Sequence, residues 1–254
     1  MSGRGDWATP ERMAEQAATG EGVFGAYEAF EKGTDEKTIG AHGIVDDAYA
    51  LVYARNLRDL LRRHGAPVAG PILDVGCGIG TITHAIHAAC GAGTDCQGID
   101  LSAPAIRVAR ERYADCAFRV ASADDLGTFA DGTFSLIHAR EFYPFTRSAD
   151  AGLHARFLSE FAAKLMPGGS VAAVQIVEPA GLADSLAALA GQAPSLGFES
   201  AVRRVMVPNR AYRGIGRAAY GAGLYTLVSA AGAVLESIRP GRVSYVYLFR
   251  KSAV

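Results

Sequence analysis

The hydrophobic and polar positions of this chain fall into two regimes. Up to about residue 66 the pattern is alanine-rich and helical. Residues 12–19 (RMAEQAAT) and 23–33 (VFGAYEAFEKG) are two candidate helices, the second ended by Gly33. Residues 46–65 predict a stronger third. Leu51, Tyr53 or Ala54, Leu57 and Leu61 recur at helical spacing, Asp46 or Asp47 can cap the start, and Gly65 can end it. From residue 71 short apolar runs alternate with helical ones. Strands are expected at 71–75, 94–100, 116–121, 134–139 and 170–178, the last apolar nearly throughout, as a central parallel strand is. Helices are expected at 81–90 and at 102–114, the latter with Ser102 as N-cap and Pro104 in its first turn. Another is expected at 151–166, with an apolar side of Leu153, Phe157, Leu158, Phe161 and Leu165, broken by Pro167-Gly168-Gly169. Residues 179–216 interrupt the rhythm with one helix, 182–191, and an arginine-rich run. A helix at 218–232, a strand at 234–240 and a last strand at 243–251 follow, with Pro240-Gly241 as a hairpin connection.

Strands alternating with helices predict an α/β fold: a doubly wound, Rossmann-like, seven-stranded and mostly parallel sheet. A closing hairpin makes its last strand antiparallel. Two regions are expected, a helical lid or cap at 1–66 and the sheet domain at 67–254, with a substrate-side insert at about 179–216.

The run ILDVGCGIG, residues 72–80, ends the first sheet strand in Asp74 and places glycines at Gly76, Gly78 and Gly80. In open α/β sheets ligands bind in the crevice beyond the carboxyl ends of the strands. Glycines there allow a sharp turn and let a ligand lie on bare backbone. Asp100 ends the next strand, where a carboxylate can accept hydrogen bonds from both hydroxyls of a ribose. Together they describe a nucleoside site. The spacing is G-x-G-x-G and not the G-x-G-x-x-G of dinucleotide sites, which favours a ligand without a pyrophosphate.

Composition narrows the partners. The chain of 254 residues is 50% hydrophobic with a formal charge of −1, so it carries no basic excess for nucleic acid. No apolar run reaches the about 18 residues of a membrane span, and the start has no signal-peptide pattern. Cys77, Cys90, Cys96 and Cys116 lack CxxC spacing and read as reduced thiols of a cytoplasmic protein. No metal cluster is expected; His84 and His87 read as the polar side of their helix. The sequence leaves monomer and homodimer open.

The motifs LDVGCGIGT and GIDLS, followed in order by VASADDL, DGTFSLIHA and LMPGGSVAAV, resemble the class I S-adenosylmethionine-dependent methyltransferases over about residues 70–178. The resemblance implies an enzyme that uses S-adenosylmethionine and releases S-adenosylhomocysteine. By position it implies that Asp74, Gly76, Cys77, Gly78 and Gly80 frame the methionine and ribose portions. Asp100 would hold the ribose hydroxyls and Leu101 would pack on adenine. An acidic residue common in the family is Ser122 here, so the adenine contact falls on Ser122, Ala123 or Asp124. Ala139 and Arg140 would complete the methionine side.

Methyl transfer needs an acceptor held in line and water excluded, with a base where the acceptor is protonated. The segment HAREFYPFTR, 138–147, supplies His138 and Glu141 as candidate bases; His138 reads equally as a core histidine. His42, in the glycine-containing segment 33–45, is a third. Tyr27, Tyr49, Phe142 and Tyr143 are candidate walls of an acceptor pocket. Arg203, Arg204, Arg210, Arg213 and Arg217 are either a solvated face or a clamp for an anionic acceptor. The acceptor expected is a small molecule, anionic or aromatic, of a biosynthetic pathway, with oxygen as the default atom. Two other readings stand: a protein that binds the cofactor without methylating, and a nucleotide-dependent oxidoreductase.

Overall fold

Neighbouring residues of the central strands send side chains to opposite faces, and here both faces are apolar. Ile72, Leu136, Ala172, Val174, Val246 and Leu248 face one layer; Leu73, Ile137, Val171, Ala173, Tyr247 and Phe249 face the other. A computed structural model describes residues 47–90, 94–147, 150–177, 185–205, 227, 234 and 243–253. In chain order it contains α1 (Asp47–Arg63), β1 (Ile72–Val75), α2 (Thr81–Cys90), β2 (Cys96–Asp100), α3 (Ala103–Arg112), β3 (Ala117–Val120) and β4 (Phe134–Arg140). Then come α4 (Tyr143–Arg147), α5 (Ala151–Lys164), β5 (Leu165–Val177), α6 (Ser185–Ala190), β6 (Ser200–Val205) and β7 (Val243–Arg250).

The sheet has seven strands in the order β3-β2-β1-β4-β5-β7-β6. Strands β1 to β5 are parallel, and β7 runs antiparallel between β5 and β6. The order reverses beside β1, so the crevice opens at the carboxyl ends of β1, β2 and β4. Helices start where the sequence provides caps. The Ser102 hydroxyl accepts from the Ala105 amide at 3.2 Å, and Asp150 accepts from the amides of Gly152 and Leu153. No helix among the described residues is long and apolar enough to cross a membrane.

Three expectations change. Helix α1, expected in a lid over the site, packs into the domain instead. Its Ala50, Tyr53, Ala54, Leu57, Leu60 and Leu61 are buried against Ile82, Ala85 and Ile86 of α2 and the sheet face. Buried positions recur along the helix from Tyr49 to Leu61, the spacing of a core-facing stripe. Pro167-Gly168-Gly169 does not separate helix from strand. It forms an irregularity within β5, where Phe134 pairs with Leu165 but Leu136 pairs with Ser170. A Cβ on Gly169 would lie 2.9 Å from the Met166 carbonyl oxygen and 3.0 Å from that of Phe134, so the bend needs glycine. Part of what the sequence presents as an insert, Ser200–Val205, forms strand β6 at the sheet edge beside β7, while residues 235–240 of the strand expected at 234–240 lie outside the described residues. Residues 1–46, most of 218–232, and the Pro240-Gly241 connection lie outside the described residues.

Candidate functional site

The turn after β1 is built from backbone conformations that side chains resist. Gly76, Gly78 and Gly80 all have positive φ, at 72°, 55° and 80°. They differ in what lies above them. Gly76 is exposed, and a Cβ there would meet only Phe142, at 3.9 Å. Gly80 is buried, and a Cβ there would come within 2.7 Å of the Phe118 ring. The sequence expects Gly80 at the ligand. Its missing side chain instead makes room for β3 and α3, while Gly76 leaves open backbone on the crevice. Gly76→Ala therefore carries a conformational cost without a clash, and should lower stability by about 1–2 kcal/mol in a denaturant titration.

Asp100 closes the turn from the side. One carboxylate oxygen accepts from the Gly78 amide at 2.8 Å and the other from the Ser102 amide at 2.9 Å. Burial pushes its carboxyl up from the ordinary range, and these two amides pull it part of the way back. Each oxygen retains a second lone pair for a ligand hydroxyl. Cys77 is buried among Ile106, Ala109, Tyr113 and Phe118. Burial pushes its thiol well up, so it fills space and is no nucleophile.

Asp74 and His138 are 64 residues apart but directly opposite in the β1–β4 register. Asp74 is buried, and both its oxygens are used: His138 Nδ1 lies 2.7 Å from one, and the Thr83 hydroxyl donates to the other. His138 Nε2 lies 2.8 Å from the Tyr53 hydroxyl, itself buried on α1. Burial pushes the Tyr53 phenol well up, opposed by Arg140, so the hydroxyl keeps its proton and donates it to Nε2. The imidazole then donates through Nδ1 to Asp74. This chain of four side chains ties α1, β4, β1 and α2 together beneath the glycine turn. It bears on two expectations: Asp74 is buried and holds His138 and Thr83 beneath the turn, and His138 has no free nitrogen with which to meet an acceptor.

The other candidates separate into wall and core. Ala139 is buried in the sheet, and Phe142 stacks edge-on with Phe145 and Phe157, each at 5.1 Å between centroids. Phe142 is a core ring with one edge toward Gly76. Tyr49 is buried on α1 and Tyr143 starts α4. Arg140 is half-buried with its guanidinium 6.0 Å from the Tyr53 ring centroid. Glu141 has a φ of 50°, the one non-glycine with positive φ among the described residues, and its amide donates to the Val174 carbonyl at 2.8 Å. Strain of this kind is held in place by its surroundings and clusters at functional sites.

Beyond β3, Leu101 and Ser122 are half-buried and Ala123 is buried. The Asp124 amide donates to Ser122 Oγ at 3.1 Å, and its carboxylate meets Arg156 at 2.6 Å. That ion pair engages one Asp124 oxygen with α5. Arg203 and Arg204 lie on β6, where neighbours face opposite ways, and Arg203 sits 3.7 Å over the Tyr245 ring. They form no joint clamp. His42, Tyr27, Arg210, Arg213 and Arg217 lie outside the described residues. Sequence reasoning missed Thr83 and Gly98. A Cβ on Gly98 would come 2.8 Å from Cys77 Sγ, so this strand glycine makes room for the turn. Its signal was a lone glycine inside a strand pattern.

A family model described as a methyltransferase domain matches residues 72–169. The curated ubiquinone biosynthesis O-methyltransferase of Thiobacillus denitrificans is 30% identical over 149 residues, 46% of this chain and 63% of that protein. The chain thus spans less than two thirds of that relative's length. Haemonchus contortus phosphoethanolamine N-methyltransferase 2, solved with phosphomonomethylethanolamine and S-adenosylhomocysteine, superposes with a TM-score of 0.50 at 20% identity. The match covers 82% of this chain and 57% of that one. A chain of the Haloferax volcanii complex between a methyltransferase activator and a methyltransferase gives a TM-score of 0.57 at 18% identity, covering 90% and 96%. At such identities the two solved structures speak for the fold.

Proposed function

We propose that this chain, whose residues 72–169 match a methyltransferase-domain family model, is a class I S-adenosylmethionine-dependent methyltransferase that moves a methyl group to a small-molecule acceptor. The observation that carries the proposal is the pairing of the bare Gly76 backbone with the Asp100 carboxylate at the carboxyl ends of β1 and β2. The residues present fit the cofactor. A Cβ at Gly76 would intrude on the crevice, and Asp100 has lone pairs left for two hydroxyls. When bound, S-adenosylmethionine supplies a methyl group on a sulfonium, which needs no further activation.

The chain's own residues then have three tasks. Asp100 and the Gly76 and Gly78 backbone fix the cofactor's ribose and tail, while Leu101, Ser122 and the Ala123 backbone bound the adenine. Phe142 backs the turn with an apolar ring and keeps water from that side of the crevice. Glu141, held strained at the end of β4, is the candidate to take a proton from an acceptor hydroxyl; Arg140 beside it suits an anionic group. Oxygen is the acceptor atom this reading favours, supported by the name of the Thiobacillus denitrificans relative. The same reading keeps the protein in the cytoplasm.

The test is a calorimetric titration with S-adenosylhomocysteine, set beside NAD⁺, followed by transfer of a labelled methyl group to a panel of small phenols and carboxylates. The expected result is micromolar binding of S-adenosylhomocysteine alone, and label on a hydroxyl oxygen. Binding of NAD⁺ in its place would remove the methyltransferase reading. Tight cofactor binding with no label transferred to any acceptor would leave a cofactor-binding protein that does not methylate.

A further inference from the structure

Away from the crevice, three side chains with metal-binding atoms converge between α2 and the turn that precedes β3, and a fourth, His87, reaches one of them. His84 and His87 sit one turn apart on α2; Asp115 and Cys116 follow α3. One ligand atom each from His84, Asp115 and Cys116 lie within 4.8 Å of one another. His84 Nδ1 is 3.1 Å from one Asp115 oxygen, and His87 Nε2 is 3.7 Å from the other. A tetrahedral zinc ion, with bonds of 2.0–2.3 Å, sets its ligand atoms about 3.3–3.8 Å apart. The spacing around Asp115 falls close to that range.

The orientation of each group argues for a cation. His87 Nδ1 is 2.9 Å from the Thr94 carbonyl oxygen, so Nδ1 carries the proton and Nε2 presents a lone pair. Nε2 faces an Asp115 carboxylate oxygen at 3.7 Å, a pair of atoms that a proton or a metal ion can join. A backbone carbonyl fixing the far nitrogen is also how metal-bound histidines are held. His84 is fixed by stacking on Tyr113 at 4.6 Å and 17°, and Tyr113 is in turn held by Asp47 and Thr81 through its hydroxyl. The Cys116 amide donates to the Tyr113 carbonyl at 3.2 Å, which aims the thiol from the same turn. Asp115 and His84 remain open enough to solvent, 46% and 34% exposed, for an ion to enter.

We propose that His84, His87, Asp115 and Cys116 form a binding site for one zinc ion that clips helix α2 to the turn before β3. Two neutral imidazoles with a carboxylate and a thiolate balance the charge of a divalent ion, and the mixed nitrogen and sulfur set selects zinc over magnesium or calcium. The sequence expects no metal, because the two halves of the set are 28 residues apart and only the α2–α3 packing joins them. Since α2 begins directly after Gly80, the clip braces the turn from outside the crevice.

The experiment uses the full chain, freed of metal with a chelator and dialysed. Zinc is titrated against a chromophoric competitor, and cobalt(II) is titrated separately and followed by absorption. The expected result is one equivalent of zinc, a thiolate-to-cobalt charge-transfer band, and a raised melting temperature with zinc. Cys116→Ser should abolish the band and weaken zinc by more than about 100-fold, since loss even of an outer partner costs 10- to 100-fold. His84→Ala should weaken zinc by a similar factor. Both variants should keep their affinity for S-adenosylhomocysteine, which reports that they fold. No stoichiometric uptake would overturn the site and leave protons as the cations between these groups. A charge-transfer band that survives Cys116→Ser would overturn the ligand set.

Discussion

Asp74→Ala should destabilise the protein by about 3–5 kcal/mol, the cost of removing one partner from a buried, hydrogen-bonded pair. His138 would lose the acceptor at its Nδ1, and Thr83 would lose the acceptor for its hydroxyl, and both side chains are fully buried. At roughly 2–4 °C per kcal/mol for a domain of this size, the melting temperature should fall by about 6–20 °C. Asp74→Asn separates charge from geometry. The amide oxygen can still accept from His138 and the amide nitrogen can donate to the Thr83 oxygen, but the Thr83 hydroxyl proton loses its acceptor, so the cost should be about 1–3 kcal/mol. Equal melting temperatures for Asp74→Ala and the wild type would mean that the Asp74–His138–Tyr53 chain holds nothing together. Equal losses for the two variants would mean that the carboxylate charge, and not the hydrogen-bond pattern, is what the site requires.

Asp100→Ala should weaken S-adenosylhomocysteine about 10- to 150-fold, or about 1.5–3 kcal/mol, through loss of charge-assisted hydrogen bonds to two hydroxyls. The same carboxylate accepts from the Gly78 and Ser102 amides, so part of the loss comes through a looser turn. Calorimetry on the variant, paired with its melting curve, divides the two. A large affinity loss with a small melting shift assigns Asp100 to the ligand; a large melting shift with little change in affinity assigns it to the turn. Unchanged affinity and unchanged melting together would exclude Asp100 from the site.

The parts of this molecule legible in the sequence are those set by local chemistry. The glycine turn, the Ser102 cap and the two-period pattern each depend on residues within one or two turns of one another. The sheet with its antiparallel β7 follows from that pattern, and the structure contains it. What stayed hidden depends on register across long separations. Nothing near His138 in the chain says that Asp74 stands opposite it, or that Tyr53 of α1 reaches its other nitrogen. The sequence could offer His138 as a base or as a core residue; only strand pairing decides, and it puts both nitrogens in use. Edge strand β6 was hidden for another reason. Ser200–Val205 carries two adjacent exposed arginines, so its pattern reads as a polar insert. Gly80 looked like its neighbours because all three glycines share a positive φ, and the packing partner that distinguishes it, Phe118, lies on another strand.

Strand β7 is inserted between β5 and β6, which precede it in the chain. During synthesis β5 therefore emerges with one edge unmatched, and β6 emerges with no neighbour at all. Until residues 243–250 leave the ribosome, the nascent chain presents the open edge of a long apolar strand, the kind of surface that templates association between chains. The two arginines on β6 and the bend at Pro167–Gly169 in β5 make that half-built edge charged and irregular during the wait.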